Sequence, residues 1–476
     1  MAAPSIHDSP YSGSWYPDDP VELATLLDKA WKTSVRRTGP VLIGGGLAFV
    51  VPHAGLAYSG QVAATVYRHL ERQKPKCIML AGFSHRGSAP GIAIPEIDGY
   101  ATPLGRVAID RELAARLATS APFRRAPEAM LCDHSVEIQL PLLQRAVPRA
   151  RVVPLYVGAL DPAGRAQAAA GLAECLSPET VLIASSDLTH FGRSFHFQPF
   201  PVDSDVADRL RNLDFEVIEA AGSLEERFFL DTLRQTSATV CGYDPIALLL
   251  ATVRRRAGEE DFFQQVLDYQ TSGEITGDFH SSVSYGALGY FPGSSFDLNA
   301  EEQAAVLDLA RRSLAEYQKT GSRRIPEFPP SGLPGLSRQA ALFVTLHKGS
   351  ELRGCLGRTR AAQSIESAVV ELTIAAATED TRFDPVSRSE TGIDVEVSIL
   401  SPLRRILRTE DFRAGRHGAL MKSKGRTGIL LPQVATERGW NADQFFRALA
   451  AKTGVGPEAV SDPSTRLYVF RAQVIR

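Results

Sequence analysis

Short apolar runs alternate with amphipathic helical stretches over roughly the first 290 residues, and this pattern narrows the fold more than any other property of the chain. The runs LAFVVP, KCIMLAG, RVVPLYVG and TVLIASS read as strands, while GQVAATVYRHLERQ, RELAARLATS and AGRAQAAAGLAECL between them read as helices. Such alternation predicts an α/β domain with a mixed, largely parallel sheet flanked by helices.

In open α/β sheets, ligands gather beyond the carboxyl ends of the strands. Three of the predicted strands deliver chemistry there. His53 follows LAFVVP, His85 follows KCIMLAG, and Asp187 and His190 follow TVLIASS. Two predicted helix starts add to them: MLCDHSVEIQLP carries Asp133, His134 and Glu137, and SATVCGYDPI carries Cys241. A helix N-terminus would favour the thiolate of Cys241. Taken singly, each histidine is a loop or capping residue, and Cys241 is a small buried hydrophobe. Recurrence at separate strand ends sets a shared metal or acid/base site against that plainer account.

Around residue 290 the pattern changes. LGYFPGSSFDLNAEEQAAVLDLARRSLAEY places a Pro-Gly-Ser-Ser linker before a helix that Asp297 or Asn299 would cap, with acids in its first turn. This divides the chain into domains at about 1–293 and 298–476. In the second, AALFVTLH, DVEVSILSP and TGILLP read as strands among the helices SIESAVVELTIAAAT and NADQFFRALAAKTG, an α+β arrangement. HKGSELRGCLGRTR stands out there. Read as a glycine-rich turn, it would cradle an anion beside Arg353 and expose Cys355 as a nucleophile, or it would simply bend the chain and point Cys355 into the core.

Bulk composition excludes several classes. A net charge of −2, with the basic stretch SPLRRILRTEDFRAGR interrupted by acids, gives no footprint for nucleic acid. No apolar stretch approaches the ~18 residues of a membrane span. The opening residues lack the basic and apolar regions of a secretory signal, so none is expected. Five widely spaced cysteines with no Cys-x-x-Cys pair point away from disulfides and toward a reducing cytoplasm.

The segments SGSWYP, VPHAG, GFSH, DHSVEIQLP, SSDLTHFG and CGYDPI occur in an order and spacing that resemble the Memo family across residues 10–291. The resemblance implies the fold and pocket of class III extradiol dioxygenases, in which two histidines and a glutamate hold non-haem iron(II). On that pattern His53 and His85 match the two histidines, and Cys241 stands in the third ligand's place. His190 matches the acid/base histidine, Asp187 lines the pocket, and Trp15 and Tyr16 lie at its mouth, with Tyr58 a further candidate. His134 and Glu137 are assigned with Trp15 and Tyr16 to substrate binding. A thiolate in place of a carboxylate shifts preference toward softer ions. Iron is the expected cofactor, with copper and zinc as alternatives, and Asp187 or Glu137 would restore a carboxylate ligand.

LRGCLG, VEVSILSP and GILLPQVATERGW resemble the AMMECR family over about 300–476. A chain joining both families resembles the AmmeMemoRadiSam system, whose third member is a radical-SAM protein. Three functions follow as expectations from these resemblances. The chain is a metal-dependent redox enzyme acting on a small molecule or peptide, a non-catalytic module that recognises a peptide in the same pocket, or a scaffold for a radical-SAM partner.

Overall fold

A computed structural model describes residues 5–87, 90–127, 132–258 and 260–476. The chain forms two compact units, Met1–Pro292 and Gly293–Arg476.

The first unit is built on a nine-stranded mixed sheet. Four adjacent strands at its centre run parallel, in the order Ala48–Val51, Thr180–Ser185, Cys77–Gly82, Arg151–Val157. Every residue of Ala48–Val51 and Cys77–Gly82 is buried. That is why these strands read as continuous apolar runs rather than alternating ones. Antiparallel strands extend one edge: Ser281–Pro292 pairs with Ala48–Val51 and also carries His190–Gly192 and Phe262–Thr271. Ile92–Pro95 and Phe123–Ala126 complete the other edge. Helix Leu56–Gln73 lays Val62, Val66 and Leu70 into the core, and helix Tyr243–Ala257 buries Ile246 through Val253. A separate three-stranded sheet joins Ile6–Asp8, Gly99–Thr102 and Gly105–Ala108.

The parallel register brings the strand ends level. Val51 lies opposite Ser185, and Ala81 opposite Ala184. The residues that follow, His53, His85 and Asp187, therefore emerge on one rim.

The second unit is α+β, with two four-stranded antiparallel sheets. Helices Ala300–Thr320 and Ile365–Thr378 bury Val306, Leu314 and Val369 with Val344 and Val397 of the first sheet. Helix Ala442–Thr453 buries Phe445, Phe446 and Leu449 with Met421 and Val469 of the second. Asn299, rather than Asp297, caps the opening helix, in a reciprocal pair with Glu302. The expected Pro-Gly-Ser-Ser linker is a 3₁₀ turn, Gly293–Phe296, with Gly293 and Phe296 buried. Among the described residues, no helix is long and apolar enough to cross a membrane.

The expected glycine-rich turn around Cys355 is instead a strand, Glu351–Arg358. Its glycines serve close packing rather than bending. A Cβ at Gly354 would meet the Ala376 carbonyl oxygen at 2.2 Å, and one at Gly357 the Phe343 ring at 2.2 Å.

Candidate metal centre

His53 enters the site from the end of its strand with its backbone clamped. The Asp187 Oδ1 atom accepts hydrogen bonds from the His53 N–H at 2.8 Å and the Ala54 N–H at 3.3 Å. The imidazole is equally constrained. Its Nδ1 lies 3.2 Å from Ser185 Oγ, and Ser185 is itself held by Gln139, whose carbonyl accepts from Tyr67. That leaves Nε2 to face the Cys241 sulfur at 3.2 Å.

Cys241 arrives from the opposite direction, just before helix Tyr243–Ala257. The Asp187 N–H points at its sulfur at 3.3 Å. The next residue must be glycine for this approach to exist. A Cβ at Gly242 would lie 2.6 Å from the Ser185 carbonyl oxygen and 2.6 Å from Ser186 Cβ.

His85 is fixed by Asp133, which accepts from its backbone N–H at 2.9 Å and lies 2.9 Å from its Nδ1. Asp133 also caps the short helix His134–Glu137. The His134 ring stacks on His85 at 4.1 Å and packs against Trp15 at 4.1 Å. His53 stands edge-on to both imidazoles, 5.7 Å from His85 and 5.4 Å from His134.

The electrostatics of the pocket favour neutral donors. Burial, with the charge of His85, drives the His53 pKa down to about 3, and burial does the same to His134. Both are therefore unprotonated at neutral pH and have a lone pair to offer. Burial pushes the Asp133 carboxyl up, but hydrogen bonds from His85 and Ser135 and the His134 charge outweigh it and hold the pKa at about 2. Asp187 is raised by burial, against the opposing influence of His190 and the two N–H bonds it accepts.

Cys241 departs from the expectation of an easily ionised thiol. Burial and the neighbouring Asp187 carboxylate push its pKa far up, outweighing the hydrogen bonds from the Asp187 and Gly242 backbones and from Ser186 that lower it. The His53–Cys241 contact is thus a neutral thiol beside a neutral imidazole. In metal-free protein, alkylation of Cys241 should be slow at neutral pH and should accelerate about tenfold per pH unit, because the thiolate fraction rises that steeply below the pKa. Mass spectrometry of labelled peptides reads this. Rapid labelling at pH 7 would mean a stable thiolate.

His190 sits on the strand beside this cluster. Its Nδ1 lies 3.0 Å from the Thr239 carbonyl oxygen and 3.2 Å from that of Leu188. Two carbonyl acceptors require a proton on Nδ1, so in neutral His190 the lone pair is on Nε2.

Two overlapping trios have donor atoms within 4.8 Å of one another: His53, His85 and His134, and His53, Asp187 and Cys241. His53 belongs to both; the expected set of His53, His85 and Cys241 does not itself meet that distance among the described residues, since His85 falls in the first trio and Cys241 in the second. Donor chemistry and orientation suit a transition metal. In His53 and His85 it is Nδ1 that a hydroxyl or a carboxylate holds, leaving Nε2 as the donor, the arrangement that usually fixes a metal-binding imidazole. Beside the trios, a cleft of ≈ 200 Å³ is lined by Phe83, Tyr156, Tyr243 and Pro245 with Cys241 at its wall.

The remaining expected residues fall as follows. Trp15 is partly exposed against His134, whereas Tyr16 is buried and its hydroxyl pKa is raised by burial. Tyr58 is exposed on helix Leu56–Gln73. Glu137 is buried and contacts His7 instead of the first trio, at 3.1 Å. In the second unit, Arg353 is held by both carboxylate oxygens of Glu390, at 2.8 and 3.0 Å, and by the Asp384 carbonyl. Cys355 donates its N–H to Asp380 and takes the Thr345 hydroxyl on its sulfur. Ser185, Gln139 and His7 escaped sequence reasoning. Serine and glutamine carry no motif of their own, and His7 lies outside any strand long enough to recognise.

Comparison with known proteins identifies a family for each unit. The model of the Memo-like protein family matches residues 8–289, and that of AMMECR1 matches residues 307–475. A protein memo-1 homolog from Caenorhabditis elegans is 30% identical over 287 residues, covering 58% of this chain and 79% of its own. A MEMO1 family protein from Methanopyrus kandleri is 30% identical over 290 residues, covering 58% of this chain and 96% of its own. Among solved structures, an uncharacterized protein from Pyrococcus horikoshii is 32% identical, covering 37% of this chain and 92% of its own at a TM-score of 0.35. The chain belongs to the Memo-like family through its first unit, and its second unit is an AMMECR1 domain.

Proposed function

We propose that the first unit is a metal-dependent redox enzyme in which His53, His85 and Cys241 hold a non-haem transition-metal ion, iron foremost, with copper and zinc as alternatives. The observation that carries this reading is the pairing of His53 Nε2 with the Cys241 sulfur at 3.2 Å, while Ser185 and Asp133 hold the Nδ1 atoms of His53 and His85. For bonds of ~2.0–2.3 Å at tetrahedral angles, two donors sharing an ion lie roughly 3.3–3.6 Å apart, close to what is found.

The ion would supply open coordination positions and, as iron or copper, electron-transfer capacity that zinc lacks. The chain's own residues do the rest. Ser185 and Asp133 orient the imidazoles, Asp187 ties the His53 backbone to the Cys241 loop, and His190 Nε2 accepts or returns a substrate proton. The cleft offers aromatic surface to a small molecule or a peptide end. The joined AMMECR1 domain supports a role within an AmmeMemoRadiSam-type modification system, with a radical-SAM protein as partner.

Metal analysis of protein purified without oxygen tests the reading, followed by oxygen uptake in the presence of reductant and candidate substrates. At least one equivalent of iron or copper is expected. Protein free of transition metal, and unable to take it up, would sink the redox assignment. The cleft would then be a recognition site for a peptide or small ligand.

A further inference from the structure

We propose that His7, Cys132 and Glu137 form a second metal site, suited to a thiophilic divalent cation of the zinc type. It sits one helical turn from the first cluster, since His134 and Glu137 open and close the same short helix.

The three side chains offer one nitrogen, one sulfur and one oxygen within 4.8 Å of one another. Each is placed by a different element. His7 lies on strand Ile6–Asp8, paired in register with Tyr100, and its ring also packs edge-on against Tyr100 at 5.6 Å. Cys132 immediately precedes the capping residue Asp133, and Glu137 ends that helix. Two segments distant in sequence thus converge, the strand that carries His7 and the loop and short helix that carry Cys132 and Glu137.

The independent observation is at Glu137. Its side chain is fully buried, its Oε1 meets His7 Nε2 at 3.1 Å, and its Oε2 has no hydrogen-bond partner among the described residues. An unsatisfied buried acceptor is destabilising, and more so if charged. A His7–Glu137 pair alone leaves that cost standing. A cation between Glu137, His7 and the Cys132 sulfur removes it and explains why a buried thiol adjoins a buried carboxylate. The 3.1 Å separation also suits two donors on one ion, for which tetrahedral bonds of ~2.0 Å give about 3.3 Å. A mixed imidazole, thiolate and carboxylate set favours zinc-like ions over magnesium or calcium, which prefer oxygen ligands.

This site does not rest on the redox reading, and its test removes the first site. Full-length protein carrying His53→Ala and Cys241→Ser is stripped with chelator and titrated with zinc, then with cobalt as a spectroscopic probe. About one equivalent of zinc is expected to remain bound, with a cobalt–thiolate charge-transfer band. Adding Cys132→Ser, a near-isosteric change, should abolish the band and weaken zinc at least ~100-fold, beyond the effect of losing a supporting residue alone. His7→Ala, on the less buried ligand, should weaken zinc similarly and serves if the serine variant misfolds. Failure of the parent variant to bind zinc, or zinc binding indifferent to both added substitutions, overturns the proposal.

Discussion

His53→Ala is expected to lower transition-metal affinity at the first site by at least ~100-fold. Loss of a residue that merely orients a ligand typically costs 10–100-fold, and a ligand should cost more. His53 is the member common to both trios, so its removal leaves neither intact. No nearby imidazole substitutes readily. His85 is tied to Asp133 by backbone and ring together, and His134 is wedged between His85 and Trp15. Chelator competition measures the affinity, and thermal unfolding of the metal-free variant separates ligand loss from misfolding. Affinity within tenfold of the parent, in a folded protein, would mean that the ion is held elsewhere.

His190→Ala should behave in the opposite way. It is expected to spare metal binding and to reduce turnover roughly 100-fold or more, the usual yield of a positioned acid/base group. The argument is the tautomer. Carbonyls of Leu188 and Thr239 hold the proton on Nδ1, and the Thr239 hydroxyl accepts from the His190 N–H no further than 2.9 Å away in a reciprocal pair. The ring is therefore fixed, with the lone pair of its neutral form on Nε2. Turnover is read in the oxygen-uptake assay, and metal content by elemental analysis of the same sample. A variant that loses its metal would make His190 a ligand rather than a proton carrier.

Much of the first unit was legible because parallel strands are buried on both faces. Their continuous apolar runs mark strand ends unambiguously, and His53, His85 and Asp187 stand just past three of them. What could not be read is cooperative. The orientation of His53 depends on Ser185, which depends on Gln139, and Gln139 in turn on Tyr67, residues spread from position 67 to 185. The ionisation of Cys241 was misjudged for a related reason. A helix start is visible in sequence, but the enclosing burial and the Asp187 charge that overrule it exist only after folding. In the second unit, LRGCLG suggested a turn from its glycines. A glycine chosen to let a strand touch Phe343 or the Ala376 carbonyl looks identical in sequence to one chosen for bending. The family resemblance carried residue correspondences that pattern alone left open, among them the placing of Cys241 beside His53.

The glycine after Cys241 restricts how this pocket can evolve. Position 242 admits no side chain, because the loop rests directly on the backbone of Ser185 and on Ser186. The Ser186 hydroxyl accepts the Gly242 N–H at 2.9 Å, which pins the loop from the same side. Loop and strand thus form a rigid jig, and the depth of the sulfur is set by main-chain contact rather than by a rotamer. A lineage seeking a different ion cannot slide the thiol in or out by small steps at this position. It can exchange the donor atom at 241, leaving the seat unaltered, or give up the seat and the donor together.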